Sequence, residues 1–158
     1  MKSITKTILY LQMTALLLTT ALAGPGSAEK PRPFKGSVQA VEIFDVQFPT
    51  LFTQGSGAGH ATHLGGFTVT YKFTVNLFSA AGIGSAHFIA ANGDSLFTEV
   101  LGQGNPTGDP DFSFIVETHT ITGGTGRFAG ATGSFTVMRL LNTVTGVTRG
   151  SFEGTISY

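Results

Sequence analysis

From residue 36 to the C-terminus, apolar and polar positions alternate with a period of two, the spacing of strands with one face buried. The stretch 67–77 carries the pattern most fully. Phe67, Val69, Tyr71, Phe73, Val75 and Leu77 share one face, and Thr68, Thr70, Lys72, Thr74 and Asn76 the other. No window of ten or more residues beyond 28 combines helical spacing with caps. The pattern predicts an all-β domain of eight strands, at 36–48, 50–57, 66–77, 84–91, 94–103, 111–120, 132–142 and 147–158. Turn residues separate them, and Asn92-Gly93 predicts a tight type I′ hairpin with positive φ at both central positions. A last strand free to return to the first predicts a closed, calycin-like, eight-stranded antiparallel barrel, because closure removes exposed edges. Such a barrel is either filled by its side chains or holds one small ligand, and the pattern leaves both open.

The stretch 121–133 interrupts the alternation. Five of its thirteen residues are glycine, which predicts a specialised connection between the sixth and seventh strands. Arg127 and Phe128 are its two large side chains, expected to anchor it by hydrogen bonding and by burial respectively.

Ahead of the barrel, Lys2 and Lys6 precede an apolar segment at 8–22 and a small-residue region, Gly24-Pro25-Gly26-Ser27-Ala28. This is the form of an export signal, cleaved after Ala28 or after Ala23. The expected organisation is a signal peptide at 1–28, a proline-containing linker at 29–35 and a barrel domain at 36–158, with secretion to the periplasm or the extracellular space. The 158 residues include no cysteine, which excludes disulfides, a thiolate metal site and a lipid-modified cysteine. Two of the nine Lys and Arg residues lie within 1–28, leaving seven against nine Asp and Glu, a formal charge of −2. No basic patch exists to hold nucleic acid or an anionic membrane.

The glycine-rich turn, Gly123-Gly124-Thr125-Gly126-Arg127-Phe128, resembles that of the allene oxide cyclase-like and dirigent-like barrels. There a Gly-Gly-(Ser/Thr)-Gly-x-Phe sequence joins two late strands of an eight-stranded antiparallel barrel. Ala61-Thr62-His63-Leu64-Gly65, Ala90-Ala91-Asn92-Gly93-Asp94 and the ending Gly154-Thr155-Ile156-Ser157-Tyr158 are similar to segments of bacterial secreted members. The resemblance covers 36–158. It implies an apolar substrate or ligand inside the barrel, as in plant cyclases of a fatty-acid epoxide, dirigent proteins and bacterial cyclases of polyketide-like chains. It also implies outer faces able to pair into a homo-oligomer. Allene oxide cyclases carry a functional glutamate in a first-strand Glu-Ile-Asn sequence. Glu42-Ile43 matches it, with Phe44 replacing the asparagine and Pro49 lying closer than the family's proline.

Two charges stand inside apolar stripes. Glu42 shares parity with Val38, Ala40, Phe44, Val46 and Phe48, and Arg139 with Phe135, Val137 and Leu141. A carboxyl facing the interior has its pKa raised by desolvation, as a general acid or base requires, and a buried charge needs a partner. Glu42 and Arg139 are therefore the candidate catalytic pair, with a structural pairing as the alternative. Phe44, Phe73 and Phe114 are the expected interior ligand contacts. His60 and His63 are expected to hydrogen-bond within a glycine-rich loop. The apolar run Phe112, Phe114, Val116 and Thr118 places Glu117 and His119 outward, while Glu99 is undecided. No metal and no cofactor is expected, since His-x-x-His without further ligands is a weak site. No nucleophile elbow or phosphate loop is present. Three functions follow: an exported protein that binds a small apolar molecule or serves the envelope structurally, a cyclase or isomerase using Glu42 as acid or base, and a self-assembling barrel.

Overall fold

The computed structural model describes residues 30–158; the expected export signal at 1–28 lies outside the described residues. Eight strands form a closed antiparallel barrel in sequential order. They are β1 (Arg32–Gln47), β2 (Thr50–Ala61), β3 (Gly65–Asn76), β4 (Ala81–Ala90), β5 (Ser95–Pro106), β6 (Phe112–Gly124), β7 (Thr132–Asn142) and β8 (Val147–Ser157). A 3-10 turn, Gly126–Phe128, lies between β6 and β7. β8 pairs with β1 from Arg32↔Ile156 to Val41↔Val147, leaving no free edge. The expected linker is partly strand: Arg32 to Lys35 open β1, and Phe34 is fully buried against Phe135, ring centroids 5.0 Å apart.

The alternation fills the interior with apolar rings. Phe67, Phe88, Phe135 and Phe152 interlock at 5.1 to 6.1 Å in tilted and edge-on pairs, each large apolar side chain contributing about 1.5–3 kcal/mol on burial. Glycines on the inward face of β2 make room for rings reaching over from β3. A Cβ at Gly59 would lie 2.6 Å from Phe67 Cζ, and one at Gly55 2.1 Å from Tyr71 Cζ.

One end of the barrel is sealed. There the glycine-rich turn carries Phe128 fully buried against Tyr158, at 5.0 Å. Asp94 Oδ2 accepts from the Arg127 backbone N–H at 3.2 Å and lies 3.7 Å from its Nε. Gly126 has φ +56°, and a Cβ there would meet Asp94 Oδ1 at 1.8 Å, so the carboxylate occupies space that only glycine leaves. Phe128 anchors the turn by burial as expected, whereas Arg127 hydrogen-bonds through its backbone N–H and its side chain contributes only the longer ion-pair contact. The neighbouring hairpin differs from expectation: Gly93 has φ +88°, whereas Asn92 is not among the positive-φ residues. The loop instead has three residues, with Gly93 N–H donating to Ala90 O and Ala90 N–H to Asp94 O, and a single left-handed glycine completes it.

Candidate functional site

Glu42 faces inward from β1, directly opposite Gly55 on β2, which is in turn opposite Tyr71 on β3. Because Gly55 has no side chain, Tyr71 reaches across it and its hydroxyl donates to Glu42 Oε1 at 2.8 Å. From the other side, one strand beyond β8, Arg139 on β7 extends past Gly150, its β8 partner, and its Nη1 donates to the same Oε1 and to Thr148 Oγ1 at 3.1 Å. The expected Glu42–Arg139 pair is formed, with both residues buried.

The pair has a third member that parity misplaced. Glu117 is inward and 5 % exposed, and His119, beside it on β6, is 4 % exposed. Arg139 Nε donates to both Glu117 oxygens at 3.1 Å and Nη2 to Oε1 at 2.8 Å, the bidentate geometry in which guanidinium and carboxylate match best. The guanidinium also lies 5.7 Å from the Tyr71 ring centre and 6.0 Å from that of Phe73. His119 stacks on Phe135 at 4.6 Å, with its Nδ1 3.0 Å from Thr98 Oγ1. Its Nε2 is enclosed without a hydrogen-bond partner, beside a cavity of about 30 Å³ lined in part by Glu117, Arg139 and Phe88, the volume of a single water.

Two carboxylates therefore share one guanidinium, and their environments drive them apart. Desolvation raises the Glu42 pKa, and the neighbouring Glu117 adds to this, with Arg139 and the Tyr71 hydroxyl only partly offsetting it. Burial works against ionisation of Glu117 too, but contacts with His119 and Arg139 outweigh it and hold the carboxyl below its ordinary range. At 3.7 Å the His119 Nε2 to Glu117 Oε2 contact is longer than a hydrogen bond, so the lowering rests on Arg139. Tyr71 is raised by burial and by Glu42, so it stays a donor. Arg139 is held protonated despite burial, chiefly by Glu117. Protonation is thus favoured at Glu42 and ionisation at Glu117, on the two sides of one guanidinium.

The cluster forms the floor of a pocket of about 190 Å³ in the other end of the barrel, with walls that include Phe44, Leu51, Phe73, Val75, Ile115 and Leu141. Inward glycines at 82, 102 and 104 on β4 and β5 leave this space unfilled. Of the expected ligand contacts, Phe73 lies at its inner wall and Phe44, 37 % exposed, at its rim. Phe114 is not inside: it is on the outer face opposite Leu140, 39 % and 45 % exposed respectively. β6 thus has the opposite facing from that expected, with Glu117 and His119 inward and Phe114 outward. Glu99 faces outward.

The other histidines lie apart from the cluster. His60 is exposed on β2. His63, in the β2–β3 turn, bonds Pro33 O at 3.0 Å and Tyr158 Oη at 3.0 Å. His87 Nε2 is 2.9 Å from Ser95 Oγ. Among the described residues, no group of three or more His, Asp or Glu is placed to hold a metal ion. Open depressions also lie on the outer wall over β1 to β6, and neither is lined by Glu42 or Arg139. In comparisons with known proteins, no family model, no curated protein and no solved structure matches the chain.

Proposed function

We propose that this is an exported barrel of the allene oxide cyclase-like and dirigent-like kind that binds one small, mainly apolar molecule in its mouth pocket without transforming it. The observation that carries the reading is the pocket itself: about 190 Å³, walled largely by apolar side chains, with the Glu42, Glu117 and Arg139 cluster at its floor and a few further polar groups, Thr53, Gln103, Ser113 and Thr143, along its lining, the composition of a small-molecule site. The volume is below the roughly 300–1,000 Å³ of common ligand pockets, which suits a single ring or a short chain. The sealed half of the barrel, filled by phenylalanine rings, supplies the rigid support such a site needs. Outward Lys72, Glu99, Arg149 and Glu153 together with an apolar interior reverse the pattern of a membrane-spanning barrel, in keeping with a protein released by export.

A titration of the purified protein with small cyclic and short-chain molecules, followed by methyl NMR, tests this. Shifts confined to Leu51, Val75, Leu77, Ile115 and Leu141 are expected. Shifts only on the outer wall, at Ile83 and Leu101, would overturn the reading.

A second reading, a cyclase or isomerase, draws support from one observation. The Glu42 and Glu117 carboxyls are pushed in opposite directions at one guanidinium, the arrangement that assigns acid and base roles. In that reading Glu42 gives or takes the proton. Arg139, its donors directed at Glu117, Glu42 and Thr148, positions and compensates charge. Conversion of a bound molecule by the native protein, lost in Glu42→Gln while binding persists, would favour this reading over the first.

A further inference from the structure

We infer that the mouth pocket selects an uncharged molecule carrying a carbonyl-type acceptor oxygen, which receives a hydrogen bond from the Glu42 carboxyl. The inference rests on the mouth-pocket reading above and specifies the ligand chemistry of that site.

The hydrogen-bond inventory of Glu42 leads to it. Oε1 already accepts from Tyr71 Oη and Arg139 Nη1, a full complement for a carbonyl oxygen. Oε2 makes no hydrogen bond among the described residues, and Glu42 lines the pocket floor. In the protonated form, which burial favours, the doubly accepted Oε1 leaves the proton to Oε2, and the free position is then a donor at the pocket floor. The Thr53 hydroxyl lines the same pocket and makes no hydrogen bond among the described residues, so it is a second donor there, whereas the remaining polar groups beside Glu42 are engaged. Glu117 is engaged by Arg139 along the Nε and Nη2 edge, and Thr148 Oγ1 donates to Leu140 O at 3.1 Å while accepting from Arg139.

Charge decides against the rival ligands. The groups facing Glu42 are Arg139 from β7, Tyr71 from β3 and Glu117 from β6, with His119 beyond Glu117. An anion would enter a floor whose cation is already balanced by Glu117 and would meet that carboxylate at close range. An ammonium ion would require Glu42 to be ionised, and although two carboxylates would then face two cations, two further charges would have to be desolvated in an apolar-walled site. A neutral acceptor asks for neither change. It satisfies the Glu42 donor, and its hydrocarbon body takes the apolar walls.

The test compares four probes of one shape, cyclohexanone, cyclohexene, cyclohexylammonium and cyclohexanecarboxylate, by shifts of the pocket methyls between pH 4 and pH 9. The expected result is that cyclohexanone binds about five- to tenfold more tightly than cyclohexene at low pH. That preference should fade as pH rises, with the midpoint of Glu42's own carboxyl titration followed by 13C NMR. Glu42→Gln should abolish the pH dependence, and Glu42→Leu the preference for the ketone. Cyclohexanone no tighter than cyclohexene, or cyclohexylammonium the tightest probe and strengthening with pH, would overturn the inference while leaving the pocket reading intact. Failure of all four probes to shift the pocket methyls would remove the pocket reading and the inference together.

Discussion

Glu117 grips the Arg139 guanidinium along its Nε and Nη2 edge with hydrogen bonds of 2.8 to 3.1 Å, whereas Glu42 meets it only at Nη1, a nitrogen shared with Thr148. The two carboxyls are thus unequal members of one cluster. Removing one partner of a buried ion pair leaves the other uncompensated, a loss of about 3–5 kcal/mol, and that is the expected cost of Glu117→Gln. Glu42→Gln keeps an oxygen to accept from Tyr71 and Arg139 and stands in for the protonated carboxyl that burial favours, so it should cost about 1 kcal/mol or less. Urea unfolding of the two variants at pH 5 measures both, and equal losses would contradict the unequal roles.

The same inequality fixes the pH profile of stability. Glu42 has a folded pKa above its unfolded value, so its contribution is fully present below the unfolded pKa of about 4.3 and is lost as pH rises through the folded pKa. Glu117 has a folded pKa below its unfolded value. Its contribution is present above the unfolded pKa and is lost as pH falls through the folded one. Glu42→Gln should therefore gain on the native protein as pH increases from 4 to 9, while Glu117→Gln should lose its disadvantage as pH decreases below 4. Chemical denaturation across that range tests the pair, and a Glu42→Gln deficit that stays constant or widens as pH rises would contradict the assignment.

Gly55 is what lets Tyr71 reach Glu42. A methyl at Gly55 would stand 2.1 Å from Tyr71 Cζ and 2.4 Å from its hydroxyl oxygen, so Gly55→Ala must displace the ring. Tyr71→Phe removes the hydroxyl and leaves the ring in place. Both variants should raise the Glu42 pKa further, since the Tyr71 hydrogen bond lowers it. Tyr71→Phe should lose about 1 kcal/mol, and Gly55→Ala more, through overpacking. NMR titration of the Glu42 carboxyl provides the measurement. An unmoved pKa in Tyr71→Phe would show that the hydroxyl does not act on Glu42.

Much of this was legible in the alternation. Strand number, barrel closure and the inward facing of Glu42 and Arg139 follow from a period of two, because a charge inside an apolar stripe is conspicuous. Glu117 and His119 were not legible, because parity assigns the more apolar face to the core. On β6 that face, with Phe114, lies on the outer wall beside Leu140, while the inward positions carry the counter-charge of Arg139. A local signal was present: Ile115, Glu117, His119 and Ile121 enclose two titratable residues between apolar ends, as Ala40 and Phe44 enclose Glu42. Only the pairing register, Glu117↔Val137, places that run beside the inward stripe of β7. The start of β1 was obscured by Pro31 and Pro33, although Phe34 is among the most deeply buried residues.

The glycine-rich turn separates conformational need from steric need. Gly130 has φ +75° with nothing near its Cβ position, whereas Gly126 has φ +56° and the Asp94 carboxylate where a Cβ would be. Gly130→Ala should cost about 1–2 kcal/mol, the left-handed penalty alone. Gly126→Ala should cost clearly more, because it also expels Asp94 from the Arg127 N–H. Thermal unfolding of the two variants distinguishes them, and equal costs would mean that Asp94 contributes nothing to closing the sealed end.

Inward glycines on neighbouring strands meet different fates at the mouth. A Cβ at Gly104 would have its nearest neighbours, Ala80 Cβ and Ser113 Oγ, at an ordinary 3.5 Å, whereas one at Gly84 would be 2.1 Å from the Lys72 backbone oxygen. Gly104→Val can be accommodated, and its two methyls enter the pocket. Stability should stay level or rise by about 0.5–1 kcal/mol, since glycine weakens a strand interior, while cyclohexanone affinity at the pocket methyls falls at least about tenfold as the methyls take its volume. Gly84→Val must move backbone and should lose roughly 3 kcal/mol or more. The two variants separate space that the fold requires from space left open for a ligand. Undiminished cyclohexanone binding in a folded Gly104→Val protein would place the ligand elsewhere than between these strands.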